Sequence, residues 1–210
     1  MADWQTISSL ATAAGTLVLA VATFSAVRSS NHSARIAEAA LRTGLRPLLI
    51  QSRTVDPELK VVWSDQHRAR LAGGSAIFEE RDGVIYLAMA LRNAGAGSAL
   101  LHGWHPVVDR VLADVPHASP EEFRRLTIDL YVPPSDAGFW EGAVRDPGDP
   151  IRPGLSSALA ERRPVTIEVL YGDQEGGQRT ISRFTVLPAG EEGWYCQVAR
   201  HWNLDRPDPR

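Results

Sequence analysis

The sequence predicts a mainly β protein: an N-terminal transmembrane helix with a juxtamembrane extension, followed by an antiparallel immunoglobulin-like β-sandwich. Three observations predict it. From Trp4 to Val27 there are 24 consecutive residues without a charge, closed by Arg28. Beyond Pro47 the apolar residues abandon helical spacing for alternation, in about eight to ten short runs. Those runs are punctuated by Gly, Pro, Asn and Asp clusters, and little between them keeps a helical period.

The first element is the anchor, residues 4–27. At about 1.5 Å per residue it spans roughly 36 Å, against a hydrocarbon core of about 30 Å. Its bulky residues are few, among them Leu10, Leu17, Val21 and Phe24, so insertion is favourable but shallow. Beside them Thr6, Ser9, Ala13, Thr16, Ala20 and Thr23 form a seam of small and hydroxyl residues. Such a seam lets two helices approach closely in lipid. The competing reading is a lone span whose hydroxyls bond back to their own helix. A coiled coil would keep charges on its outer positions, and no face here carries one. A cleaved signal peptide is the more serious rival, but Met1-Ala2-Asp3 lacks a basic start and the apolar run is too long.

The juxtamembrane stalk, residues 28–46, carries Arg28, Arg35, Arg42 and Arg46 against Glu38 alone. The positive-inside rule then places the domain on the cytoplasmic side of a single-pass protein of the cell membrane, with the lipid bilayer as its first partner. A single cysteine, Cys196, fits a reducing compartment and excludes an internal disulfide framework. The formal charge of −3 lacks the basic footprint of nucleic-acid binding. All 22 basic residues but Lys60 are arginine, a bias scattered along the chain rather than gathered in a patch.

The domain proper is read as 47–204, with 205–210 a disordered tail. Leu48 to Val55 and Val61 to Trp63 open as extended runs. Ala76-Ile77-Phe78 and Val84-Ile85-Tyr86 bracket Asp82-Gly83, a pair that accepts the positive φ of a two-residue hairpin. Val84 to Arg92 is apolar on both faces, the mark of a strand buried on two sides. After the Asn93-Ala94-Gly95-Ala96-Gly97 break, extended structure resumes over 98–108. Ser119-Pro120-Glu121-Glu122 predicts a capped short helix over 120–125, and Thr127 to Val132 a half-exposed strand. Residues 135–154 read as an irregular loop, 155–162 as a short helix. Val165 to Tyr171, Arg179 to Leu187 and Trp194 to Trp202 read as the last strands.

Two stretches, Tyr86 to Gly97 and Leu170-Tyr171-Gly172-Asp173 with Gly176-Gly177, resemble bacterial single-pass membrane proteins in which a β-sandwich follows a terminal helix. That resemblance implies a fold along the chain. It carries no assigned activity and no functional residue.

Candidate chemistry is sparse. His102-Gly103-Trp104-His105 is the most tempting cluster, yet in a strand the two histidines face opposite sides and no third ligand has the required spacing. The acids around Asp146, Asp149, Asp173 and Glu175 do not match a calcium loop. Neither a metal, a cofactor nor a catalytic residue is expected. Phe139 and Trp140, in the irregular loop, are candidate recognition anchors if exposed and core plugs if buried. The expected function is a membrane-anchored, non-enzymatic protein-interaction domain, as a subunit or regulator of a membrane complex with an unknown protein partner, or paired with itself through the helix. The alternative is an enzyme of unknown reaction type with a pocket near His102, His105 and the 135–154 loop.

Overall fold

The computed structural model describes residues 4–207, less the side chains of residues 4–7, 39, 42 and 43. The chain divides after Gly44 into two compact units. The first is one unbroken helix, α1, Trp4–Gly44, of 41 residues, or about 61 Å at 1.5 Å each. Among the described residues it alone is long and apolar enough to cross a bilayer, over Ser8–Glu38. Leu17, Val18 and Phe24 are exposed along it. The stalk is thus helical, but two residues shorter than expected, because Leu45 and Arg46 fold with the β unit.

That unit contains β1 (Leu49–Gln51), β2 (Leu59–Val62), β3 (Arg68–Leu71), β4 (Ser75–Arg81), β5 (Val84–Asn93) and β6 (Ala99–Val108). A 3-10 turn at Pro120–Glu122 leads to β7 (Arg124–Val132), β8 (Ala137–Val144), α2 (Arg152–Ala160), β9 (Val165–Gly172), β10 (Arg179–Ala189) and β11 (Gly193–Asn203). Nine strands form one antiparallel sheet in the order β7-β6-β9-β10-β11-β4-β5, with β1 and β8 both paired to β5; β2 and β3 make a separate hairpin. The antiparallel β class therefore holds. The two separate sheets of an immunoglobulin-like sandwich give way to a continuous half-barrel, because β4 bridges β5 to β11 and closes what would be the gap between sheets.

The concave side holds the main core, where Leu87, Met89 and Trp140 meet Ile167, Tyr171 and Phe184. On the convex side β2 and β3 lay Val61, Trp63 and Leu71 over Tyr86, Ala88 and Ala90. So β5 is buried on both faces, as its sequence predicts. The Asp82-Gly83 turn takes the expected positive φ at both residues, 50° and 77°.

Residues 135–154 are not an irregular loop: they supply β8 and the start of α2. Gly138 and Gly142 disguise the strand, because a glycine inside a run reads as a break. Here they are clearances. A Cβ on Gly138 would lie 2.8 Å from the Val132 side chain, and one on Gly142 would lie 2.8 Å from the Trp140 indole and 3.0 Å from that of Trp104.

A second pair of glycines seats the start of the domain. A Cβ on Gly97 would stand 1.8 Å from the Leu45 carbonyl oxygen, and one on Gly95 2.2 Å from that of Arg46. Asn93 completes this seat: its Oδ1 accepts from the Leu48 and Gly95 amides, and its Nδ2 donates to the Gly97 and Val132 carbonyls.

The outer face of β9 and β10 is covered by residues 109–118, a strap pinned by a buried ion pair. Arg183 and Glu168 are each about 98% buried. The guanidinium donates to Glu168 and to the carbonyls of Leu112, Val115 and Pro116, and its carbon lies 4.7 Å from the Trp202 ring centroid. Glu168 in turn accepts from the Ala118 amide. With most of its polar atoms partnered, the pair holds the strap in one arrangement instead of leaving a buried charge exposed to apolar surroundings.

Candidate functional site

The sheet does not close. β7 and β8 follow each other in sequence, joined only by the turn at 133–136, but β7 pairs with β6 and β8 with β5. Near the turn they touch, Val132 filling the space left by Gly138. Farther along β7 departs, because its register against β6 shifts between Leu101 and Gly103, opposing Leu130 and Arg125, and the residues between them bulge away.

A cleft of about 210 Å³ opens in this seam. One wall is Arg124 to Thr127 of β7; the other is Glu141 to Ala143 of β8, with Trp63, Trp104 and Arg145 completing it. Alternation along β5 fixes which groups of β8 face the seam. The Asn93 amide donates to Asp136 and the Ala90 carbonyl accepts from Ser52, so odd-numbered residues of β5 turn toward β8. Their partners Gly138, Trp140 and Gly142 are spent on β5, and the backbone of Phe139, Glu141 and Ala143 faces outward, unpaired by any strand.

The charges around the cleft are mostly neutralised in pairs. Arg124 grips Asp149 at 2.5 and 2.8 Å and stacks its guanidinium carbon 5.4 Å from the centroid of the Trp104 ring. That guanidinium holds the Asp149 carboxyl below the usual carboxylate range. Arg145 donates from Nε to Asp65 at 2.9 Å, and the Tyr86 hydroxyl donates to the same oxygen. The Trp63 indole N–H donates to the Gly142 carbonyl at 3.1 Å.

Glu141 is the exception. It is 4% exposed, and among the described residues its Oε2 has no hydrogen-bond partner, nor has the buried Nη2 of Arg145. Burial raises the Glu141 carboxyl to about 7, with Arg145 opposing the shift and Asp65 adding to it. A buried polar atom left without a partner costs about 1–3 kcal/mol, and where such atoms cluster in a cleft they mark a candidate site. Glu141 is absent from the residues that the sequence singles out; its one local signal is an acid inside the apolar run Gly138-Phe139-Trp140-Glu141-Gly142-Ala143.

The residues singled out from sequence are not brought together here. His102 and His105 do not line the cleft: His105 Nδ1 lies 3.4 Å from the Glu122 carbonyl, while His102 sits at the β6 bulge beside Gly172, its basicity lowered by burial and by Arg179. No group of three or more His, Cys, Asp or Glu placed to hold a metal occurs among the described residues. Trp140 is fully buried, edge to face with Trp104 at 5.2 Å, and so is a core plug rather than an exposed anchor; Phe139 is half-buried under β2 and β3.

On α1, Ser9, Ala13, Thr16, Ala20 and Thr23 are exposed, as are Arg28 and Arg35, whereas the side chains of Thr6 and Arg42 lie outside the described residues. The Thr16 hydroxyl donates to the Thr12 carbonyl of its own helix. Arg46 is not free to meet lipid: it donates to Asn203 at 2.9 Å and to both oxygens of Asp205, with its side chain 13% exposed. That contact also fixes Asp205, the residue at which the disordered tail is expected to begin; residues 208–210 lie outside the described residues.

Comparisons with models of protein families, with curated proteins and with solved structures found no match.

Proposed function

We propose that the protein is a membrane-tethered, non-enzymatic binding module whose β domain receives an extended segment of a partner protein in the seam between β7 and β8. The observation that carries this reading is the pair of consecutive strands hydrogen-bonded away from each other, leaving the outward backbone of Phe139, Glu141 and Ala143 without a strand partner among the described residues, the last two at the rim of a cleft. An added strand binds through such a main-chain edge and is selected by pockets for alternate side chains. In this reading α1 spans the cell membrane once, the domain is cytoplasmic, and tethering raises its effective concentration for membrane partners. The partner is a subunit of a membrane complex that this module joins or regulates.

A photo-crosslinking residue at Ala143 or Thr127, in intact cells, tests the site. The expected result is one reproducible adduct from both positions and none from the exposed Arg68 of β3. Equal labelling from all three positions, or none, refutes it. Amino-terminal sequencing of the membrane-extracted protein tests the anchor, since a mature chain starting beyond residue 26 removes it. Self-association through the helix is tested by a transmembrane reporter, whose signal falls when Ala13 and Ala20 become isoleucine; an unchanged signal removes the seam's role.

A further inference from the structure

We propose that Glu141 and Arg145 are the specificity element of this seam and that together they read a carboxamide, the side chain of an asparagine or glutamine in the inserted segment. The inference rests on the strand-accepting reading above. Its basis is a pair of buried atoms of opposite hydrogen-bonding sense lining one cleft: Oε2 of Glu141, an acceptor when ionised, and Nη2 of Arg145, a donor, each without a partner. A carboxamide offers an N–H2 and a C=O side by side, one group for each of the two senses.

Charge argues for a neutral group. A cation seated on Glu141 would stand beside Arg145 and near Arg124 and Arg125, while an anion seated on Arg145 would face Glu141 and Asp65. Asp149 and Asp65 are already committed to Arg124 and Arg145. A neutral bifunctional group meets neither repulsion, and a site built to hydrogen-bond a polar group rejects analogues that leave its buried atoms unpaired. The planar indoles of Trp63 and Trp104 on the walls suit a flat ligand group.

Placement argues for a side chain rather than a main chain. Glu141 shares its face of β8 with Phe139 and Ala143, which pack beneath β2 and β3, whereas the unpaired backbone groups lie in the plane of the sheet. A strand added at that edge pairs in plane and turns every second side chain onto the face of Glu141.

The test is selection of a random-peptide display library against the full chain in detergent, followed by affinity measurement with the selected peptides. The inference expects selected peptides to share Asn or Gln at one position and to protect the amides of residues 139–143 from hydrogen exchange. Replacing that residue by Met, or changing Glu141→Leu or Arg145→Met, should weaken binding about tenfold, with Glu141→Gln retaining more because its carbonyl still accepts. Binding should tighten from pH 6 to pH 8, because the carboxamide donates to the ionised form of Glu141; Arg124, Arg125, Arg145, Asp65, Asp149, Tyr86 and His67, which stacks on Tyr86 and lies against Trp63, are the other charged or titratable groups around it, so the pH dependence that persists in Glu141→Gln belongs to them and only the part lost there belongs to Glu141. Peptides that protect residues 139–143 but carry an acid, a base or no common residue overturn the carboxamide inference and leave the seam standing. So does affinity unchanged in Glu141→Leu and Arg145→Met variants whose melting shows them folded. Failure to select any peptide that protects those amides overturns both readings.

Discussion

Replacing Glu141 with glutamine should stabilise the protein at alkaline pH and much less in acid. The carboxyl rises from 4.5 to about 7 in the folded chain, so the native state holds its proton more tightly than the unfolded state does. The sign follows from linkage: the contribution of Glu141 to stability is greatest below about 4.5, declines as pH climbs through the interval to 7, and is flat above it. At about 1.36 kcal/mol per unit the shift corresponds to ~3 kcal/mol, and water reaching the open side of the cleft screens this to about 1–2 kcal/mol. Glutamine has the same shape and no charge to desolvate, so the variant lacks that decline. Urea denaturation of both proteins in detergent, followed by tryptophan fluorescence at pH 5 and pH 8, reads the effect directly. The expected outcome is a stability gap that widens by about 1–2 kcal/mol in favour of the variant between the two pH values. A gap of equal size at both would show that Glu141 is solvated in the folded protein, and would remove the electrostatic description of the cleft.

Three further outcomes follow from the packing. Arg183→Met leaves Glu168 charged and buried beneath the strap, and should cost about 3–5 kcal/mol with new proteolytic cleavage within residues 109–118; an intact strap would show that its own contacts hold it. Gly97→Ala drives a methyl group into the Leu45 carbonyl and should destabilise by about 2 kcal/mol, accelerating hydrogen exchange at Leu48 and Leu49, whereas unchanged exchange would refute the close seat. Cys196, buried with its thiol pushed up to about 12, should resist aromatic disulfide reagents until the domain is unfolded; prompt labelling of the native protein would contradict that burial. For the same reason, topology tests need a cysteine introduced on the surface.

The elements legible in the sequence are those whose local chemistry and tertiary environment agree. The Asp82-Gly83 hairpin is written in two residues that tolerate positive φ, and the double burial of β5 in the apolar residues on both its faces. The 3-10 turn at Pro120–Glu122 is read correctly at its start, where the Ser119 amide donates to Glu122, but its length is set elsewhere: β7 begins at Arg124, which Asp149 holds 25 residues away. β8 is hidden because Gly138 and Gly142 are clearances for Val132, Trp140 and the sequence-distant Trp104, a role that their local run does not announce. The half-barrel, too, depends on which strand bridges to which, and short alternating strands of equal quality suit a sandwich as well. Of the cleft, only the odd placement of Glu141 was visible. Its unpaired atoms arise from the divergence of β7 and β8, a matter of register that no short window of sequence contains.

The seat formed by Asn93 to Gly97, together with the grip of Arg46 on Asp205, brings the first and last strands of the β domain to a common end. A fluorescent protein fused directly after Asp205 would therefore stand beside Arg46 and could disturb the contacts that hold the start of the domain. The Asp82-Gly83 turn lies at the opposite end of β5, which runs from Val84 to Asn93, and so roughly 34 Å from Asn93 at 3.4 Å per residue. An epitope inserted there would report on the domain while leaving both of its termini undisturbed.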